Sequence, residues 1–248
     1  MGNLVHKLFR IYLIGAYIFS LIVFFVISFV VNLSCWMLVM LPGSRKLQNP
    51  LRSLLQLFYR VWAWSSCWLQ VLKLKTPERT QWKNENGEIW VMNHPSILDI
   101  SYLIKFISNG TCIYKESIGG NPFYGATGRL ANYIPNWGGP DMIRLACEAL
   151  SRGEDLIVFP EGTRSTHMQL DDFKPGFALI AKRSKARINV LWSDAPEDFM
   201  TKGISMWKVP ELPAMVSIRQ IDRIEPAGRS THSILNAVKQ SYRNQLER

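Results

Sequence analysis

Apolar residues are spread unevenly along this chain. Residues 11–44 contain no charged side chain over 34 consecutive positions, against the roughly 20 that a helix needs to cross a bilayer core. Phe, Ile, Val and Leu occupy nearly every face of residues 4–41, so the pattern predicts one long helix suited to lipid or to a deep core. Pro42 and Gly43 end it. Residues 51–74 form a second apolar stretch, broken by Arg52, Arg60 and Lys73 and carrying Tyr59, Trp62, Trp64 and Trp68. Aromatics of this kind favour a membrane interface. The pair reads as a hairpin of two spanning helices, as two helices dipping into one leaflet, or as one anchor followed by a helix packed on the rest of the chain.

Residues 76–87 are polar and turn-rich and read as a linker. From there short apolar runs alternate with helical periodicity. Residues 88–92, 111–115, 155–159, 188–192 and 214–221 predict strands. Residues 97–108, 141–152, 176–185 and 230–247 predict helices. Such alternation implies an α/β domain with a largely parallel sheet flanked by helices. The expected organisation is therefore a membrane-anchoring helical hairpin over residues 1–75 and an α/β domain over residues 76–248.

Charge sharpens the picture. The net charge is +10, which suits an anionic lipid surface or a phosphorylated substrate. No nucleic-acid motif accompanies it, and the apolar segment makes lipid the simpler partner. The four cysteines, Cys35, Cys67, Cys112 and Cys147, are scattered with no CxxC pair. They suggest neither a disulfide framework nor a zinc site, and fit a reducing compartment for the globular part. The catalytic domain is accordingly expected on the cytoplasmic side of the inner or plasma membrane. The first apolar run far exceeds the ~7–15 residues of a signal-peptide core, so it is expected to stay in the mature protein.

Two clusters carry candidate chemistry. Asn93-His94-Pro95-Ser96-Ile97-Leu98-Asp99 follows the predicted strand 88–92. Ligands of open α/β sheets bind beyond the carboxyl ends of strands. Pro95 keeps His94 out of helical conformation, and Ser96 is a plausible N-cap. His94 can then fold back towards Asp99, whose carboxylate would fix the imidazole tautomer and strengthen its other nitrogen as a base. The competing reading makes Ser96 and Asp99 an ordinary capping pair. The second cluster, Phe159-Pro160-Glu161-Gly162-Thr163-Arg164-Ser165, follows the predicted strand 155–159 and so lies at the same sheet edge. Gly162 permits close backbone approach, Arg164 offers a planar fork for a phosphate, and Glu161 either holds that Arg or accepts from substrate hydroxyls. The competing reading is a surface turn with a Glu–Arg pair.

Together, His-x-x-x-x-Asp after Asn and Phe-Pro-Glu-Gly-Thr-Arg-Ser about 65 residues on resemble the glycerolipid acyltransferases, in particular the lysophosphatidic acid (1-acylglycerol-3-phosphate) O-acyltransferases. The resemblance covers roughly residues 85–195, and the N-terminal apolar pair is similar to that family's membrane anchor. It implies transfer of a fatty acyl group from acyl-CoA or acyl carrier protein to the free hydroxyl of lysophosphatidic acid or a related lysolipid, in phospholipid biosynthesis. His94 would be the general base and Asp99 its partner. Glu161, Gly162, Thr163 and Arg164 would hold the glycerol phosphate, and Lys115, Pro122 and Gly125 would begin the middle motif. That motif ends in an Arg in the family. Here residues 132–139 contain none, so Arg129 or Arg144 would have to replace it, or the acceptor is a different, specialised lipid.

No cofactor is implied beyond the thioester co-substrate. No metal is implied either, since His6, His167 and His232 lack metal-binding spacing to His94. Cys112 and Cys147 lie inside predicted elements and read as core rather than nucleophiles. A serine hydrolase would need a Gly-x-Ser-x-Gly elbow, which is absent. A catalytically silent membrane-binding protein is the non-enzyme alternative. The run 173–187, with Lys174, Lys182, Arg183, Lys185, Arg187 and no acid, reads equally as a surface for phosphates and as a solvated helix face.

Overall fold

The computed structural model describes residues 2–76, 86–107, 109–165 and 173–247. Most of the expected linker, 76–87, lies outside them. Helix α1 (Gly2–Val39) and helix α2 (Gln48–Trp68) are joined by a 3-10 turn at Ser44–Leu47. Among the described residues, α1 is the one helix long and apolar enough to cross a membrane.

The α2 helix is shorter and more polar than its stretch of sequence predicted. It ends at Trp68, and the rest of the stretch forms strand β1 (Leu72–Lys75). Its inner face buries Arg52, Gln56 and Ser66 beside Leu55, Tyr59 and Trp62. Arg52 explains this placement. Its guanidinium pairs with buried Glu154 at 2.8 Å and donates to the Ala131 carbonyl at 2.9 Å. A buried cation is tolerated only when so paired. The α2 helix therefore packs on the α/β domain.

The remaining elements are β2 (Ile89–Met92), α3 (Asp99–Phe106), β3 (Gly110–Lys115), α4 (Gly125–Leu130), β4 (Ile134–Asn136), α5 (Gly139–Ser151), β5 (Asp155–Val158), α6 (Gly176–Ser184), β6 (Ile188–Asp194), β7 (Ala214–Ile224) and α7 (Thr231–Leu246). The seven strands form one sheet in the order β1-β7-β6-β2-β5-β3-β4. Every pairing is parallel except β6 with β7. This is the largely parallel α/β sheet flanked by helices that the alternation predicted. Strands β1 and β4 were not anticipated. β1 is the tail of an apolar stretch read as helix. β4 is three residues with Pro135 at its centre, which only a sheet edge accommodates.

β2 and β5 are buried at every residue, as central strands covered on both faces must be. Alternate side chains serve two cores. Trp90 and Met92 join α1, α2, α3 and α4 on one face. Ile89 and Val91 join α5, α6 and α7 on the other. On α1, Ala16, Tyr17, Leu21, Phe24 and Cys35 form one buried seam. Asn32 lies in that seam, donating to the Pro122 carbonyl at 2.7 Å and accepting from the Thr127 N–H at 3.0 Å. A helix greasy all round is thus docked by its few polar side chains.

Candidate active site

The carboxyl ends of β2 and β5 bring the two motif loops together. The His94 carbonyl accepts from Ser165 N–H at 2.8 Å. The His94 N–H is shared between Glu161 Oε1 and Ser165 Oγ, each at 3.3 Å. Ser165 Oγ in turn donates to Glu161 Oε1 at 2.8 Å. The loops are therefore sewn backbone to side chain across 71 positions of sequence.

His94 Nδ1 lies 3.0 Å from Asp99 Oδ2. The same oxygen accepts from Ser96 N–H at 2.7 Å. The contact with the imidazole and the capping bond from the Ser96 backbone thus fall on one carboxylate oxygen. Ser96 is not the side-chain cap that was expected, because α3 begins only at Asp99 and its cap position is Leu98. Asp99 is fully buried, while the His94 side chain keeps 17% exposure. The ring of His94 stacks on Phe159 at 4.0 Å between centroids. Nδ1 is thereby committed and the ring plane fixed, leaving Nε2 for a substrate proton.

Glu161 and Arg164 do not pair, contrary to one expectation for that turn. Arg164 Nη1 donates to the carbonyls of Met200 and Thr201, at 3.0 and 3.1 Å. Met200 also accepts from Ile97 N–H at 3.3 Å, so the loop after β6 braces both motifs. Burial pushes the Glu161 carboxyl above its ordinary range, and bonds from Ser165 and the His94 backbone only partly offset this. Gly162 has φ of +68°, a left-handed conformation in which any side chain is strained.

A cavity of about 470 Å³ opens beside these loops. His94, Gly162, Thr163, Arg164, Lys115 and Lys174 lie along it with a long apolar lining that includes Leu55, Tyr59, Ile104, Cys112 and Phe177. Such a space suits a ligand with a charged head and a hydrocarbon tail. Burial pushes the Cys112 thiol up to about 12, so it stays protonated and unreactive.

Other predicted site residues sit differently. Gly125 does not line the cavity. A Cβ on it would run into the Gly119 carbonyl oxygen, so it permits two backbones to touch. Pro122 lends its carbonyl to Asn32. Neither candidate for the missing Arg lines the cavity. Arg129 lies over the ring of Trp36, and Arg144 pairs with Asp141 and Glu148 on the surface of α5. Asn136, the last residue of β4, lines the cavity. The basic run divides: Lys174 reaches the cavity, Lys182 and Arg183 fall in the last turn of α6, and Arg187 pairs with Glu88 and Glu225. Sequence reasoning assigned no contact to Asn93, Ser165, Ser193 or Met200, whose partners lie on other loops and strands.

Residues 73–193 match the family described as Acyltransferase. That segment belongs to the acyltransferase family. Over 109 residues the chain is 35% identical to a 1-acyl-sn-glycerol-3-phosphate acyltransferase of Helicobacter pylori strain J99, covering 41% of this chain and 46% of that protein. A protein of the same description from Cocos nucifera is 32% identical over 120 residues, covering 46% of this chain and 39% of the other. The alignments thus span less than half the length of either relative. The acyltransferase domain and its helices share the fold of the crystal structure of the 1-acyl-sn-glycerophosphate (LPA) acyltransferase PlsC from Thermotoga maritima. The TM-score is 0.68 at 19% identity, covering 100% of this chain and 97% of that one.

Proposed function

We propose that this chain transfers a fatty acyl group from acyl-CoA or acyl carrier protein to the free hydroxyl of lysophosphatidic acid or a related lysolipid, as a step of phospholipid biosynthesis. The observation that carries this reading is the His94 ring, held through Nδ1 by buried Asp99 at the mouth of a long apolar cavity. The acceptor hydroxyl loses its proton to His94 Nε2 as its oxygen attacks the thioester carbonyl. Asp99 stabilises the imidazolium so formed. Collapse of the tetrahedral adduct breaks the C–S bond, and the imidazolium returns the proton to the departing sulfur. The positive charge of Lys115, Lys174 and Arg164 along the cavity suits a phosphate on the acceptor.

The protein is anchored to the membrane through α1. At 38 residues, α1 is about 57 Å long, nearly twice a bilayer core. One side of it is docked on the domain, and its outer side exposes Leu8, Phe19, Val26 and Leu33. An oblique helix embedded in one leaflet satisfies both faces better than a perpendicular span. We place the catalytic domain on the cytoplasmic side, where a reducing compartment suits its free cysteines.

The test is an assay of labelled acyl-CoA and acyl carrier protein donors against a panel of lysolipids. His94→Ala should lose about 10²–10⁴-fold in rate while staying with the membrane. Undiminished transfer by that variant ends the proposal. A second reading keeps the chemistry and changes the acceptor to a specialised lipid. It is favoured by the absence of Arg129 and Arg144 from the cavity, where Asn136 stands instead. A preference in the panel for a lysolipid other than lysophosphatidic acid would select it.

A further inference from the structure

A fully buried carboxylate needs donors on both oxygens, or it pays the desolvation of its charge without return. Asp99 Oδ2 has Ser96 N–H and His94 Nδ1. Its other oxygen, Oδ1, accepts from Ser193 Oγ at 2.9 Å. Ser193 lies 94 positions away in β6 and is 2% exposed. Its hydroxyl is the donor that holds the far side of Asp99.

Ser193 is itself clamped. Its N–H donates to Asn93 Oδ1 at 2.7 Å, and its carbonyl accepts from Asn93 Nδ2 at 2.7 Å. The side-chain amide of Asn93 thus makes both bonds of a strand partner, beyond the last β2–β6 pair, Met92 with Leu191. Asn93 is also the residue bonded to His94. One residue therefore locks the backbone of β6 and presents the imidazole, while the locked serine fixes the carboxylate that grips that imidazole. The loop of contacts closes on itself. Each member is buried apart from the His94 ring.

We propose that Ser193, clamped by Asn93, is a positioning residue that fixes Asp99 and through it the ring of His94, making the base a Ser–Asp–His chain. This rests on the reading of His94 as the base. Without the hydroxyl, Oδ1 is left without this donor in a fully buried position. The carboxylate then relieves itself by rotating or by taking a proton, and either change loosens the grip on Nδ1. Ser193 does not line the cavity, so substrate binding is untouched.

The experiment uses the full chain in detergent micelles, with labelled long-chain acyl-CoA and lysophosphatidic acid. Ser193→Ala should lower kcat about tenfold to a hundredfold, the range typical of an orienting partner, with both KM values unchanged. Ser193→Thr keeps the hydroxyl and should recover most of the rate. Asn93→Ala should also lower kcat, and the Asn93→Ala/Ser193→Ala double variant should lose little more than the worse single one, because both act through one carboxylate. Unchanged kcat in Ser193→Ala overturns the proposal. So does a multiplicative loss in the double variant, or a loss that appears in KM. Absence of transfer by the wild-type chain with every donor and acceptor would instead sink the proposed function.

Discussion

The two faces of the sheet are built alike inside and unlike outside. Strand residues alternate between two cores of the same apolar character. On one face, the covering helices α1 and α2 turn Leu4, Leu8, Phe19, Val26, Phe29, Val30, Trp64 and Trp68 outward. On the other, the surface of α5 carries Asp141, Arg144 and Glu148 in ion pairs, and that of α7 carries exposed Gln240 and Arg243. The strands therefore say nothing about where lipid lies. That information is written on the second face of each helix, the one the core does not use. The candidate site stands at the strand ends, where both faces meet, as the proposed transfer between a water-soluble thioester and a lipid requires.

The largest expected effect tests whether the lipid-side layer belongs to the domain. Arg52→Ala leaves buried Glu154 with its bond from Arg152 but without the one from α2, and should cost about 2–3 kcal/mol of stability. Denaturant unfolding in detergent measures it. A loss under 1 kcal/mol, on the order of a surface pair, would mean that α2 does not depend on the domain for its place.

A smaller effect separates the two outer faces directly. Val26→Lys, on the exposed side of α1, should weaken binding to uncharged phosphatidylcholine vesicles on the order of tenfold, while Gln240→Lys on α7 should leave it unchanged. Co-sedimentation reads both. Equal sensitivity of the two variants would erase the distinction between the faces.

The smallest effect concerns the junction of the two motif loops. The Glu161 carboxyl holds its proton more tightly when folded than when unfolded. Its ionisation therefore costs stability as pH rises through the raised value, and costs nothing below the ordinary range at about pH 4. Glu161→Gln should melt slightly higher than wild type at neutral pH, with the difference vanishing towards pH 4. A difference that grows as pH falls would reverse the assigned direction.

Much of this was legible in the residues. The charge-free run announced α1, and the alternation of apolar runs with helical periods announced the parallel sheet. The two motifs fell after strands, so their meeting at one edge could be foreseen. The end of α2 could not, because Leu72, Lys73 and Leu74 continue an apolar pattern that suits helix and strand alike, and only pairing with β7 decides between them. Arg164 looked like a partner for nearby Glu161, yet it reaches the backbone of Met200 and Thr201. Gly125 looked like part of a binding turn, yet the Gly119 carbonyl claims the space a side chain would fill.

The amino-acid order alone determined the local features: which segments are greasy, where a histidine escapes the helix, and which acid lies five residues on. These follow from side-chain periodicity and from the steric rules of proline and glycine, which act over a few residues. Folding decided what depends on distant partners. It chose which face of α2 is buried, gave both oxygens of Asp99 their donors, and ran a cavity of about 470 Å³ from His94 to Tyr59. Hydrogen bonds reach only about 3 Å, so a serine 94 positions away becomes a neighbour of Asp99 only once the strands have packed.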